Sequence, residues 1–320
     1  MKINTYVLGL FVVVGILSLQ SCDEETYDVE GSSQNYVYIN LNQWVSEDYP
    51  ANTFLYDVLR TPISYTLESA PETVKVGVRS TKVASSDIKV SLDIDRDVLI
   101  NDFSSFPEGV QVTLDKKELT IPAGSLFSTD SVVVTIEDGK WGEFINKNYL
   151  LPLKITSVTN ASLSKTHSSA YLAVNTSFTN CVSGATDVDG TLIGNRGAWT
   201  ASNNGADIGG VLFDGNTRTY ASQDVSSTVI VDLKSVYQGI TGIRLQFYSR
   251  SYSLSSAAVY TSATEDGNYE FQGDINFARA SPQYIRFYEA VNAKYVKLEL
   301  LPYSTSYGIV LSEFDLYQNE

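Results

Sequence analysis

Long stretches of the chain alternate apolar and polar residues with a period of two. Val74, Val76 and Val78 are separated by Lys75 and Gly77, and Ile88, Val90, Leu92 and Ile94 by Lys89, Ser91 and Asp93. Such alternation puts one set of side chains in a core and the other in water, so these segments predict half-buried strands. Tyr36–Leu41, Val110–Leu114, Val132–Ile136 and Leu150–Ile155 carry further strand signals, divided by turn clusters that include Phe106-Pro107-Glu108-Gly109 and Ile121-Pro122-Ala123-Gly124. A second series comprises Val229–Leu233, Ile240–Phe247, Ala257–Thr261, Tyr284–Tyr288, Tyr295–Leu300 and Ile309–Tyr317. No long helical period is present. The predicted fold is all-β, with an antiparallel immunoglobulin-like sandwich first. Short strands joined by long loops then predict a jelly-roll sandwich whose loops gather at one end. A Ser/Thr/Asn-rich passage from Asn175 to Thr186 divides the two, giving domains at 36–176 and 177–320. The 320 residues also exceed what one core usually serves.

The first residues break this pattern. Lys2 is followed by the apolar run Tyr6–Leu17 and then by Ser18-Leu19-Gln20-Ser21-Cys22. The run is shorter than the roughly 20 residues of a spanning helix, and it follows a cation and precedes small residues, so 1–21 reads as an export signal. Leu19–Cys22 resembles the lipobox of bacterial lipoproteins, which implies acylation of Cys22. Each buried methylene of such an anchor contributes about 0.8 kcal/mol. The competing use of Cys22 is a disulfide with Cys181, the other cysteine. Residues 22–35 are acidic and aperiodic, as a tether should be. Asp23, Glu24 and Glu25 resemble the signal that sends lipoproteins of Bacteroides-like bacteria to the outer face of the outer membrane; the competing reading is a solvated linker. The membrane is then reached through the lipid alone.

Composition narrows the chemistry. His167 is the only histidine, which removes His-based triads and multi-His metal centres. Carboxylate pairs remain available, but no pair is marked for a shared cleft, so a binding protein is expected and not an enzyme. A net charge of −15 disfavours nucleic acid and other polyanions as partners and leaves neutral ligands favoured.

Several motifs of the second series stand in a recognisable order. They are Trp199-Thr200-Ala201-Ser202-Asn203, Leu212–Tyr220 with its Asp214-Gly215 pair, Val229–Leu233, Ala293–Leu298 and Ile309–Tyr317. Together they resemble the discoidin family, the coagulation factor 5/8 C-type domain that includes the family-32 carbohydrate-binding modules. The resemblance implies a structural calcium held by the carbonyls of Val211 and Ser312 and by Asp214, Asn216, Thr219 and Glu313. Calcium takes about 6–8 hard oxygen ligands in loose geometry, which such a set supplies. The competing reading is a plain Asp-Gly turn with Glu313 in water. Trp199 is expected in the scaffold.

Ligand contact falls on the loops. A sugar site needs aromatic faces and a few polar groups. Tyr248, Arg250 and Tyr252 follow the strand ending at Phe247, and Tyr303 and Tyr307 precede the last strand, where the family's binding loop falls. Arg196, Asn203 and Asn204 beside the tryptophan motif are further candidates. The loop histidine of many galactose-binding relatives is lacking. In the first domain, Ile121–Gly124 and Tyr149–Ile155 resemble the N-terminal domain of surface lipoproteins from polysaccharide-utilisation loci. The resemblances together imply a cell-surface lipoprotein that binds a neutral polysaccharide or glycan and works beside surface import proteins. The alternative is a protein-binding adhesin or a subunit of a surface complex.

Overall fold

A computed structural model describes residues 33–41, 45–97, 100, 102–223, 226–264 and 267–319. The export signal, Cys22 and most of the tether lie outside the described residues. Among the described residues the fold is all-β, and the only helical segments are single 3-10 turns at Trp141–Glu143 and Arg250–Tyr252.

The first domain is built on a six-stranded sheet. Its order is Tyr65–Ser69, Thr53–Arg60, Ser169–Phe178, Asn148–Val158, Ile88–Ile94 and Glu118–Ile121. Two three-stranded sheets, centred on Val132–Ile136 and on Tyr36–Tyr38, close over the same core, where Val37, Val90, Leu92, Ile121, Val132, Phe144 and Val174 are buried. The sandwich is not wholly antiparallel as expected. Ser169–Phe178 runs parallel to Thr53–Arg60, and Tyr36–Tyr38 runs parallel to Ser162–Leu163. Both pairings join segments from opposite ends of the domain, so no hairpin dictates direction, and alternation within one strand carries no information about its neighbour.

In the second domain two strands are far longer than predicted. Ser227–Phe247 absorbs the expected Val229–Leu233 and Ile240–Phe247, and Gln283–Pro302 absorbs Tyr284–Tyr288 and Tyr295–Leu300. The first half of each pairs with the second half of the other, and the register shifts between Asp232 and Tyr237, again before Ile240, and again before Gly242. Beyond these bulges Ser227–Phe247 joins Ile309–Gln318 in the other layer. Bulges let one strand turn a corner and serve both layers of a sandwich. The turn is sharp enough to place Lys234 at a φ of 66°. Between the layers lie Val229, Val231, Leu298 and Val259 from one side and Leu245, Ile285, Leu311 and Phe314 from the other.

The chain passes from one core to the other in a few residues. Thr179 donates its N–H to the carbonyl of Arg60, Asn180 bonds to Gln272 and to the Glu289 carbonyl, and Cys181 is already buried in the second core. Gly273 permits this close approach: its φ is 135°, and a Cβ there would overlap Thr179. Cys181 is a free thiol whose burial pushes its pKa up to about 12, as suits a small hydrophobe.

Candidate functional site

The strand Ser227–Phe247 ends where the Tyr248 N–H is captured by the Val310 carbonyl at 3.0 Å. Ser249 then accepts the N–H of Ser251, closing the single turn Arg250–Tyr252. That turn sets Tyr252 between two neighbours. Tyr220, Tyr248, Tyr252 and Tyr307 form a row with successive ring centroids 5.4, 6.2 and 5.8 Å apart, each ring steeply inclined to the next. Tyr220, Tyr248 and Tyr307 are each at least half exposed, and Tyr252 is half-buried between them. Edge-to-face contact fixes the rings relative to one another while leaving apolar faces and hydroxyl rims in water.

Two arginines flank the row. Arg250 is exposed, and its guanidinium has no hydrogen bond or ion pair among the described residues. Arg279 donates to the Arg250 carbonyl and to the Ser251 hydroxyl at 2.8 Å, and its guanidinium lies 5.5 Å from the Tyr303 ring. Tyr303 is therefore coupled to the 250–252 turn through Arg279, beside the row and outside its ring contacts. Tyr220 and Arg279 were not among the sequence candidates. Tyr220 could have been found, since it closes the Asp-Gly motif next to Thr219. Arg279 lies in an aperiodic loop and gave no signal.

Arg196 is corrected. Its side chain is 12% exposed, it donates to Glu313 at 3.1 Å and to the Phe314 carbonyl at 3.0 Å, and it also pairs with Asp315. Asp315, 1% exposed, is held from the other side by Arg244 at 2.7 Å. A guanidinium so committed braces the last strand and is not presented to a ligand. Asn203 and Asn204 also stand apart from the row's ring contacts. Asn204 and Gly205, both at positive φ, make the two-residue turn between Thr200–Asn203 and Ala206–Asp207, and the Asn204 amide oxygen accepts the Thr228 N–H. Trp199 is buried against Phe213 and Tyr237, in the scaffold position expected.

The expected ion-binding residues form one loop against the last strand. Asp214 accepts the Thr219 hydroxyl at 2.7 Å and the Asn216 N–H at 2.8 Å, and Asn216 accepts the Arg218 N–H. These bonds, the Thr219 hydroxyl first, hold the Asp214 pKa below its ordinary value. The Phe314 N–H docks the loop by donating to the Leu212 carbonyl, which brings Val211 near Ser312 and Glu313 in sequence register. Glu313 is buried. Its pKa is raised by that burial first and then by the carboxyl of Asp214, with Arg196 opposing. One Glu313 oxygen and the Ser312 hydroxyl are buried without a hydrogen-bond partner among the described residues. A cation between Asp214 and Glu313 would answer both the orphaned oxygen and the like charge. Among the described residues no three His, Cys, Asp or Glu side chains cluster for a metal, so amide, hydroxyl and carbonyl oxygens would complete the set.

Residues 188–314 match the F5/8 type C domain family, and residues 32–162 match a family of N-terminal domains. Among solved structures the chain is similar to a two domain protein with unknown function from Bacteroides fragilis, with 19% identity over 99% of this chain and 100% of that one and a TM-score of 0.52. The likeness is one of fold and runs through both domains. Also similar are two family-32 modules from Clostridium perfringens. One, in complex with galactose, is 15% identical over 40% of this chain and 98% of its own, with a TM-score of 0.34. The other, in complex with GalNAc-β-1,3-galactose, is 15% identical over 40% of this chain and 99% of its own, with a TM-score of 0.34. No curated protein matches the chain.

Proposed function

We propose that the F5/8 type C domain at residues 188–314 binds an uncharged glycan on the tyrosine row, and that the chain is a binding protein and not an enzyme. The observation that carries this reading is the row itself, with three exposed tyrosines in ring contact through Tyr252 and the unpaired Arg250 guanidinium beside them. Tyrosine faces suit the C–H faces of pyranose rings, and Arg250 can donate a forked pair of hydrogen bonds to neighbouring hydroxyls. A net charge of −15 turns polyanionic glycans away. Each hydrogen bond to sugar replaces one to water and gains only about 0.5–1.5 kcal/mol, so single-site affinity is modest.

The rest of the reading follows from the sequence. Acylation at Cys22 anchors the chain in the outer membrane facing outward, in a polysaccharide-utilisation system alongside surface import proteins. Many tethered copies raise avidity for a polymeric glycan. A calcium or similar cation sits between Asp214 and Glu313, completed by Asn216, Thr219 and the carbonyls of Val211 and Ser312. Its part is to pin the loop that carries Tyr220.

The test is a glycan array followed by calorimetry on the soluble Cys22→Ser chain, with Tyr248→Ala, Arg250→Ala and Tyr307→Ala as variants. A neutral glycan should bind, and each substitution should weaken it at least tenfold with the fold intact. Binding that survives all three would remove the row from the account. For the anchor, radiolabelled palmitate should enter the wild type and not Cys22→Ala, and protease added to intact cells should reach the protein.

A further inference from the structure

The outward face of one layer of the second domain carries a groove of about 510 Å³. It crosses the strands Ser227–Phe247, Gln283–Pro302, Leu254–Ser262 and Glu270–Asn276. Thr228, Glu299, Ala258 and Asp274 are register partners in a single row across all four. Two of these four side chains are small, at Thr228 and Ala258. The next row along the strands is tall, comprising Ile230, Lys297, Tyr260 and Phe271. On the other side stands Leu301, which is 51% exposed. Small side chains between taller ones make a trough, and at the spacing of neighbouring strands it is roughly 14 Å long.

The row beside the trough fixes one of its carboxylates. The Lys297 ammonium lies 3.9 Å from the centre of the Tyr260 ring and 2.9 Å from Glu299, and the Tyr260 hydroxyl donates to Glu299 at 3.3 Å. Phe271, 39% exposed, packs its ring 5.3 Å from that of Tyr260. Glu299 is thus oriented and its charge is offset by Lys297. Asp274 is different: it is exposed and makes no hydrogen bond or ion pair among the described residues. Two residues along the same strand Asn276 offers an amide, and opposite Asn276 stands Ser256 with a hydroxyl.

These groups select their ligand by chemistry. With Lys297 set against Glu299, Asp274 leaves the trough one negative charge, which repels phosphate, sulfate and uronate. The lining sets the hydroxyl, amide and carboxylate groups of Thr228, Ser256, Asn276, Asp274 and Glu299 among the apolar surfaces of Ala258 and Leu301, the mixture that a sugar ring with its C–H faces and hydroxyl rim matches. Oriented carboxylates and amides do accept and donate to vicinal hydroxyls, and the exposed Leu301 side chain supplies an apolar surface for C–H groups. The trough is open along its length, so a chain can enter from the side.

We propose that this trough is a second binding site, distinct from the tyrosine row, for an uncharged oligosaccharide chain laid across the strands. The class of ligand rests on the reading that the domain binds sugars; the site itself does not use the row. The experiment is calorimetry of the Cys22→Ser chain with hexasaccharides of β-1,4-glucose, β-1,4-xylose, β-1,4-mannose, β-1,3-glucose and α-1,4-glucose. It is repeated with the row disabled by Tyr248→Ala and Tyr307→Ala together. At least one hexasaccharide should bind the row-disabled chain. Asp274→Ala with Asn276→Ala, both exposed and so harmless to the fold, should weaken that remaining binding at least tenfold, and Ala258→Trp should abolish it by filling the floor. If a hexasaccharide binds the wild type but not the row-disabled chain, the trough is overturned while the row stands. Remaining binding that ignores the trough substitutions also overturns it. If no hexasaccharide binds the wild type, this assignment falls, and the row must be judged on the glycan array.

Discussion

Arg196→Ala removes the cation that joins the last strand to the tryptophan loop, and the structure sets the size of the effect. Asp315 keeps a partner, because Arg244 remains at 2.7 Å. In the calcium-free chain Glu313 does not: its side chain is 5% exposed, and its remaining charged neighbours are the carboxyls of Asp214 and Asp315. Breaking a buried pair in this way costs about 3–5 kcal/mol. Glu313 has an escape, which is to take up a proton. From an ordinary glutamate value near 4.3, neutralising it at pH 7 costs about 3.7 kcal/mol, and at pH 5 about 1 kcal/mol. The expected loss is therefore about 3 kcal/mol at pH 7, falling to about 1 kcal/mol at pH 5. The sign agrees with the native chain. A carboxyl whose folded pKa is raised contributes stability below the ordinary glutamate range and loses it as pH rises through the folded value. Scanning calorimetry of the full chain in a chelator should show the second domain's transition lowered by roughly 10 °C at pH 7, at about 3 °C per kcal/mol for a domain of this size. The gap should narrow at pH 5. A drop under 2 °C at pH 7, or one that is the same at both pH values, refutes the reasoning.

Three further outcomes are expected. Millimolar calcium should raise the second domain's melting temperature, by about 2.7 kcal/mol of stabilisation at a hundredfold excess over Kd, and Asp214→Ala should remove the response; calorimetric titration should also find weaker binding at pH 5 than at pH 7, because Glu313 holds its proton more tightly than an ordinary glutamate. In the Cys22→Ser chain, Cys181 should resist a thiol reagent at pH 8 and react fully in urea, since burial pushes its pKa up to about 12; rapid labelling of the native protein would contradict that burial. Gly273→Ala should lose about 2 kcal/mol or more in urea denaturation, because a Cβ at a φ of 135° meets Thr179, and a neutral result would mean that the junction is loose.

Much of this architecture was legible in the chain. Ile88–Ile94 and Val132–Ile136 were found to the residue, because one face of each is buried and the other is not. Ser169–Phe178 was missed for the opposite reason: Leu172, Ala173 and Val174 are buried in succession, so a central strand shows no alternation. The corner strands were split in two because their bulged middles lose the period; in Ser227–Phe247 the chain passes positive φ at Lys234 and Gly239 without leaving the ladder. At the site, Tyr248, Tyr252 and Tyr307 could be named from their loops, but their meeting with Tyr220 depends on the short strand Ala221–Gln223 pairing with Ile309–Leu311. Arg196 was misjudged since its partners, Glu313 and Asp315, lie over a hundred residues away and leave no local trace. The trough is invisible in sequence, because its residues meet only through the registers of four strands.

The corner strands also determine how the domain would bear a load. The chain enters beside Phe287, which bridges to Cys181, whereas Tyr248 of the tyrosine row follows directly on the end of the strand at Phe247. Along the strand these points are roughly 20 Å apart, at about 3.3 Å per residue. A ligand held at the row and a pull on the chain where it enters at Cys181 would load these ends in opposite directions. The ladder joining Ile243, Arg244 and Leu245 to Ile285, Tyr284 and Gln283 lies along that line, so its bonds are stretched side by side and share the force at once.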